Sequence, residues 1–252
     1  MIVRDAGGEW LVITQPDHAA LAGRLMAAWQ ADGLPARPTR EAVLFATSQH
    51  DVGWQEEDAR SQVDPLTRRP YDFMTLPGDR RQAVWPRAVR VLSQHSTYAA
   101  ALVAQHALTI YRRYGADSAW HPFFVEMEAL RDHWYSADRR PDGSSGGPLD
   151  PMGADRLLFL RDYGIVRIGD LLSLIFCNAW TEPEERDGYR LWLEHGQLRV
   201  APDPFAGATI AFEVPARRVK VGDYESDLHW QAALAAAPVE HIEGSASGSE
   251  LP

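Results

Sequence analysis

A histidine followed directly by an aspartate, His50-Asp51, lies just after an apolar run over residues 42–46. Imidazole nitrogen and carboxylate oxygen both bind divalent transition metals, and together they suit iron, manganese, nickel and zinc. Neighbouring residues on a helix point about 100° apart, so this pair can reach one ion only near a helix end or with ligands from other helices. Gly53 predicts that the helix ends here. The pair therefore needs partners from distant parts of the chain.

Polar side chains on otherwise apolar helices are the candidates for those partners. His18 begins the first predicted helix, and Asp170 lies at the head of the most apolar one. His95 and His106 are three helical turns apart and so share one face, and His133 lies near the end of the next helix. Taken singly, residues of these kinds are more often caps, surface groups or core histidines than metal ligands.

A metal bound by such residues favours hydrolysis or oxygen chemistry, because a metal lowers the pKa of bound water and polarises phosphoryl and carbonyl oxygen. Other catalytic patterns are weaker. The glycine-rich residues 143–147 lack the strand before them and the helix after them that a phosphate loop requires, and no Gly-x-Ser-x-Gly sequence is found. Glu56, in the acidic cluster after Trp54, is a candidate general base.

Composition limits the class of protein. The 252 residues are 45% hydrophobic, carry a formal net charge of −10 and predict a globular protein without a basic surface. We therefore expect no nucleic-acid or anionic-membrane partner. The single cysteine, Cys177, excludes a disulfide framework or a cysteine-based zinc site within one chain. No signal-peptide pattern is present and no run reaches the roughly 18 apolar residues of a membrane span, so we expect a cytoplasmic protein.

The spacing of apolar residues predicts a mainly α protein. The predicted helices cover residues 14–29, 39–50, 82–92, 97–114, 122–135, 154–163, 166–180 and 226–237. Alternating or β-branched stretches predict short strands at residues 10–14, 189–194, 197–201, 209–214 and 217–221.

From this pattern we predict a helical domain over residues 1–182, a small antiparallel β appendage over 183–243 and a disordered tail over 244–252. The segment 138–152 is rich in Gly, Ser and Pro and predicts a flexible loop. Residues 53–82 are polar with little periodicity, and long structured loops in compact domains are often functional.

The order of His18, His50-Asp51 and Asp170 resembles the HD-domain superfamily of metal-dependent phosphohydrolases. The resemblance covers about residues 14–180. It implies an HD-like helical bundle in which these four side chains hold a metal. Members with two metals add two histidines between the doublet and the last aspartate.

For the second pair of histidines, the resemblance implies either His106 and His133 or His95 and His106. Asp51 would then bridge the two ions. One or two divalent transition metals (Fe, Mn, Ni or Zn) are therefore the implied cofactors. The same chain also looks like a bacterial family catalogued only as a domain of unknown function, through residues 15–18, 50–54 and 203–205.

The implied chemistry is attack of water on a phosphate ester, with Asp51 and Glu56 as the candidate catalytic residues. Charge suggests Arg24, Arg68 and Arg69 as clamps for an anionic substrate, and Trp54 is a candidate pocket residue. These substrate assignments come from residue type and not from any motif.

We therefore predict a metal-dependent hydrolase that acts on a small phosphorylated or anionic substrate. A non-catalytic HD-like scaffold that binds a ligand or a partner protein is the first alternative. A di-iron oxygenase that uses the same ligands is the second, because some superfamily members use these ligands for oxidation. The formation of homo-oligomers is left open.

Overall fold

Strands from both ends of the chain form a single sheet in the computed structural model, which describes residues 1–137 and 154–250. The strands are β1 (Ile2–Asp5), β2 (Glu9–Ile13), β3 (Glu184–Arg186), β4 (Tyr189–Glu194), β5 (Gln197–Ala201), β6 (Thr209–Lys220) and β7 (Val239–Gly248). Their order is β1-β2-β6-β7-β5-β4-β3, and β5 and β7 are parallel while the other neighbours are antiparallel. The mixed sheet curls into a half-barrel.

Helices pack on this sheet and on one another. They are α1 (Gln15–Ala27), α2 (Arg40–Gln49), α3 (Gln55–Ala59), α4 (Gly78–Ser93), α5 (Thr97–Ile110), α6 (His121–Ala137), α7 (Ala154–Asn178) and α8 (Asp227–Ala236). Helix α1 contacts β6, and α7 contacts β1, β4 and β5. Helices α2 and α5 pack in turn on α7. None of the described helices is long and apolar enough to cross a membrane.

The prediction of a mainly α or all-α protein with a small β appendage was wrong, because this is an α/β fold built on a seven-stranded sheet. The N-terminal β2 pairs with β6, so the strands after α7 complete a sheet that begins before α1. Sheet pairing between distant segments leaves little trace in local composition, which explains the error.

The predicted tail from residue 244 was also wrong over residues 244–248, which end strand β7 between β5 and β6. This strand is rich in small residues and does not have the apolar alternation that predicts a strand. The packing explains the small residues. A Cβ at Gly244 would lie 2.5 Å from a ring carbon of Phe176, so α7 leaves no room there for a side chain.

Local signals in the sequence did predict several elements correctly. The Thr14 hydroxyl accepts a hydrogen bond from the backbone N–H of Asp17 and caps α1, and Pro16 lies in the first turn. Predicted strands at 189–194 and 197–201 are β4 and β5. They are joined at His195-Gly196, where φ is positive at both residues, as a tight hairpin turn requires.

Helix α7 is one helix of 25 residues where two helices were predicted. Asp170 therefore lies well inside a helix and not at its head. The helix also covers residues 164 and 165, which lie between the two predicted helices, although Gly164 lowers the local helix propensity. The predicted flexible loop at 138–152 lies outside the described residues.

Cys177, near the end of α7, is a free and completely buried thiol. Burial raises the pKa of Cys177 to about 12. Because the thiolate is the reactive form, we expect alkylation of the native protein by iodoacetamide at pH 9 to be at least about 100-fold slower than for an exposed cysteine. Mass spectrometry of the protein, native and unfolded in guanidinium, tests this. Rapid labelling of the native protein would contradict it.

Candidate metal centre

Five titratable side chains from four helical segments meet beside the sheet. His18 comes from α1, His50 and Asp51 from the end of α2, His106 from α5 and Asp170 from α7. We call them the His–Asp cluster. The first four residues are at most 4% exposed, and the Asp170 side chain is 13% exposed. Two sets of three have ligand atoms within 4.8 Å of one another, namely His18, His50 and Asp51, and His50, His106 and Asp170.

Glycines allow these helices to approach closely. A Cβ at Gly169 would lie 2.7 Å from the Thr47 methyl group and 2.8 Å from Met26 Cγ, so α7 packs tightly against α1 and α2. At Gly23, a Cβ would lie 2.4 Å from Ser48 Cβ. Gly169 directly precedes Asp170. The close approach therefore brings the carboxylate of α7 to the histidines of α1 and α2.

The orientation of His50 is set by a backbone carbonyl. Its Nδ1 donates to the carbonyl oxygen of Thr47 at 2.8 Å, so in the neutral ring Nε2 carries the lone pair. Nε2 lies 3.3 Å from Asp170 Oδ1 and 3.6 Å from Asp51 Oδ2, and it is buried without a hydrogen bond in the described structure. A lone pair facing two carboxylates is repulsive unless a proton or a metal cation lies between them.

His18 is held in a similar way. Its Nδ1 lies 2.8 Å from the Ser173 hydroxyl, and that hydroxyl donates to the Asp170 carbonyl at 2.8 Å. With the hydroxyl proton used in this way, Nδ1 of His18 is the donor to Ser173. His18 Nε2 lies 2.7 Å from Asp51 Oδ2, a hydrogen-bond distance that requires a proton or a metal cation between the two atoms.

His106 approaches the cluster from α5. Its Nε2 lies 3.5 Å from Asp170 Oδ2, and its ring packs against Trp85 and Tyr163. Burial lowers the pKa of His106 to about 4, so the ring is neutral at pH 7. A neutral imidazole is the form that binds metals.

The two carboxylates and His50 are close together in a buried space, so the pKa values of His50 and Asp170 depend on the charge of their neighbours. Burial opposes the charged form of His50, but Asp51 and Asp170 outweigh this effect and raise the pKa of His50 to about 9. Burial likewise opposes ionisation of Asp170, yet the neighbouring His50 holds the pKa of that carboxyl well below its usual range. The cluster therefore holds negative charge that requires a cation, whether a proton on His50 or a metal.

A cavity of about 130 Å³ opens onto the cluster. Its walls are mostly apolar or aromatic and come from α1, the turn after α2, the loop before α4, α4, α5 and α7. The lining residues are Gln15, His18, Asp51, Trp54, Phe73, Trp85, His106, Ile110, Tyr111, Asp170 and Leu174. Four of the lining residues carry a polar atom that is buried without a hydrogen-bond partner among the described residues, namely Gln15 Oε1, Trp54 Nε1, Trp85 Nε1 and His106 Nδ1. A small molecule in this cavity would lie against residues of the cluster.

A family model described as a protein of unknown function, DUF3891, matches residues 1–221. The chain belongs to this family. The match runs from β1 through β6, so it contains all five residues of the His–Asp cluster. No comparison links the chain to the HD-domain superfamily. Searches of curated proteins and of solved structures gave no match.

Within the part that matches DUF3891, the structure does not bring every predicted site residue to the cluster. His133 is exposed and lies against Trp134, and His95 is exposed against Phe45. His95 precedes α5, so it does not share a helix with His106.

The predicted base and anion clamps lie elsewhere. The Glu56 side chain is 66% exposed and pairs with Arg87 at 2.8 Å. The predicted clamps are exposed and are not among the residues that line the cavity: Arg24, Arg68 and Arg69. Trp54 is buried and does line the cavity.

Several residues of the site were missed in the sequence. Thr47 and Ser173 orient the two histidines, and each lies three residues from a predicted ligand, so helical spacing could have pointed to them. Gln15 lies three residues before His18, in the segment 15–18 that carries the resemblance to the family of unknown function. Phe73 lies in the polar loop of residues 53–82, and no local signal distinguishes it there from Tyr71.

Proposed function

We propose that the His–Asp cluster holds a divalent transition metal and that the protein is a metal-dependent hydrolase for a small molecule that enters the adjoining cavity. The observation that carries the proposal is the Nε2 atom of His50. It is buried, lacks a hydrogen bond in the described structure and faces Asp51 and Asp170. A cation bound there would match both its lone pair and the charge of the carboxylates.

The donor set fits such an ion. The residues that would hold it are His18, His50, Asp51 and Asp170, with His106 as a further ligand. Metal-binding histidines typically donate their other ring N–H to a carbonyl, hydroxyl or carboxylate, which fixes the ring. His50 does so to Thr47, and His18 has Ser173 in the same position. A mixed imidazole and carboxylate set suits iron, manganese, nickel or zinc.

When bound, the ion would supply Lewis acidity and lower the pKa of a coordinated water. The protein itself would position the substrate and exclude bulk water. Trp54 and Trp85, both at most 3% exposed, form part of the wall beside the cluster. Exclusion of water strengthens the electrostatic interactions within the cavity.

A di-iron oxygenase that uses the same ligands is the second candidate. The observation that favours it is the apolar and aromatic character of the wall, which includes Phe73, Ile110 and Leu174. Such a wall suits a substrate that presents C–H bonds and little charge.

Metal analysis and activity measurements test the proposal together. We expect protein purified without chelator to contain close to one equivalent of a transition metal, because buried imidazole and carboxylate ligands bind such an ion tightly once it displaces their protons. With added manganese, nickel or iron, we expect turnover of small ester substrates in a panel of phosphate and carboxylate esters. A chelator should abolish that turnover.

The alternatives predict different results. Oxygen consumption in the iron-loaded protein, without ester turnover, would favour the oxygenase. Only trace metal after purification and after incubation with each ion would contradict the metal site and leave a non-catalytic scaffold that binds a ligand or partner. The content of metal is measured by elemental analysis and oxygen uptake by an electrode.

A further inference from the structure

We infer that Phe73 limits the size of the molecules that reach the His–Asp cluster, because it frames the narrow apolar mouth of the adjoining cavity. The inference rests on the proposed function insofar as the molecule that enters is the substrate. It adds to that function a residue that determines specificity and that lies outside the cluster.

The mouth of the cavity is located by the exposure of the residues that line it. Residues that frame an opening to solvent are themselves partly exposed. Seven of the eleven lining residues are at most 6% exposed. Of the others, Asp170 belongs to the cluster, Phe73 and Leu174 are partly exposed, and Ile110 is 37% exposed. The mouth is therefore framed by three apolar side chains, those of Phe73, Ile110 and Leu174.

The inner end of the cavity is at Asp170. The side chain of Asp170 lines the cavity and is 13% exposed, whereas the other four residues of the His–Asp cluster are at most 4% exposed. A small molecule that enters therefore meets the cluster at the Asp170 side chain.

The path from the mouth to the cluster is short. Ile110 follows His106 by four residues on α5, and Leu174 follows Asp170 by four residues on α7. Residues four apart lie on one face of a helix, about 6 Å apart along its axis. The cavity of about 130 Å³ is also close in volume to an engineered cavity of about 150 Å³ that binds benzene in another protein. A body of that size therefore contacts the mouth and the cluster together.

Phe73 completes the mouth from the loop before α4, and its backbone is fixed on both sides. Its N–H donates to the Met1 carbonyl oxygen at 2.9 Å. The Asp72 carboxylate accepts from the backbone N–H groups of Met74 and Thr75, at 2.9 and 2.7 Å. Phenylalanine is also the largest of the three side chains that frame the mouth. Truncation of this residue should therefore widen the opening most, without release of the loop.

Binding of two neutral probes of different size, benzene and indole, to the metal-free full chain tests the inference. The charged side chains of the described lining are carboxylates, so neutral probes report size without charge repulsion. Nuclear Overhauser contacts from probe protons to the ring protons of Trp85 and His106, which line the cavity, show that a probe has entered. In the unmodified protein we expect such contacts from benzene and none from indole.

Truncation of Phe73 should change this selectivity. We expect Phe73→Ala to raise the ratio of indole affinity to benzene affinity at least about tenfold, because even one methylene group of misfit in an apolar pocket changes binding by about 10–200-fold. Phe73→Leu should give an intermediate ratio. This smaller change also keeps the test valid if Phe73→Ala does not fold, which circular dichroism shows.

The matched control is Met74→Ala, which shortens the next side chain of the same loop. Met74 is 49% exposed and is not among the lining residues, so the ratio should stay unchanged. An unchanged ratio in the folded Phe73 variants, an equal rise in Met74→Ala, or contacts from indole in the unmodified protein would overturn the inference. Metal content is measured separately. The size effect in a protein that takes up no metal would contradict the proposed hydrolase and leave the role of Phe73 intact, and metal uptake without the size effect would do the reverse.

Discussion

Asp51→Asn is expected to lower the affinity for a divalent metal by more than about 100-fold. Substitutions that only remove an orienting partner of a metal ligand typically cost 10–100-fold, and Asp51 would be a direct ligand. Asparagine keeps the shape of the side chain, so the fold should persist. Removal of one carboxylate also removes part of the negative charge that surrounds His50. Calorimetric titration of the chelator-treated protein with manganese or zinc measures the change.

Asp223→Asn is the matched control, since Asp223 is exposed and lies in the segment before α8. It should bind metal as the unmodified protein does. Circular dichroism establishes that both variants are folded. If the folded Asp51→Asn protein bound metal within threefold of the control, the cluster would not be the metal site.

Gly53→Ala is expected to lower the free energy of unfolding by about 3 kcal/mol and to weaken metal binding as well. A Cβ at this position would lie 2.0 Å from the Val84 carbonyl oxygen and 2.9 Å from the Ala88 nitrogen. Both atoms belong to the backbone of α4 and cannot rotate away, so α4 must move. Asp51 is two residues away and would be displaced with the turn. Urea unfolding followed by tryptophan fluorescence measures the loss of stability.

Gly222→Ala provides the control, because a Cβ at Gly222 meets no described atom within 4 Å. Its free energy of unfolding should change by no more than about 0.5 kcal/mol. A similar small change in Gly53→Ala, with unaltered metal affinity, would show that the close contact with α4 does not hold the doublet in place.

The helices and most of the cluster could be predicted because they depend on local or chemical signals. Periodic apolar residues predicted helices close to α1, α2, α5 and α6, and the residue types of His18, His50, Asp51 and Asp170 indicated ligands. The structure brings these four together with His106. That the His–Asp cluster binds a metal stays a prediction.

The choice between His106 and His133 required the tertiary structure. Every residue of α5 from 98 to 104 is buried, and so are His106 and Ala107, so His106 lies on the buried part of this helix. Helix α6 buries mainly Phe123, Met127 and Tyr135. His133 lies two residues before Tyr135, about 200° away around the helix, and so faces solvent.

By itself, the sequence determined the kinds of ligand, the local helices and the short hairpin at His195-Gly196, because these depend on neighbours within a few residues. The tertiary structure decided the sheet and the convergence of the ligands. Strand β7 lies in the middle of the sheet although its residues are mostly small and polar. Its backbone pairs with β5 and β6, and α7 leaves little room for larger side chains beside it. Asp170 reaches His50 across 120 residues only because Gly169 lets α7 contact α1 and α2. Contacts of this length depend on how whole helices pack, which no local pattern records.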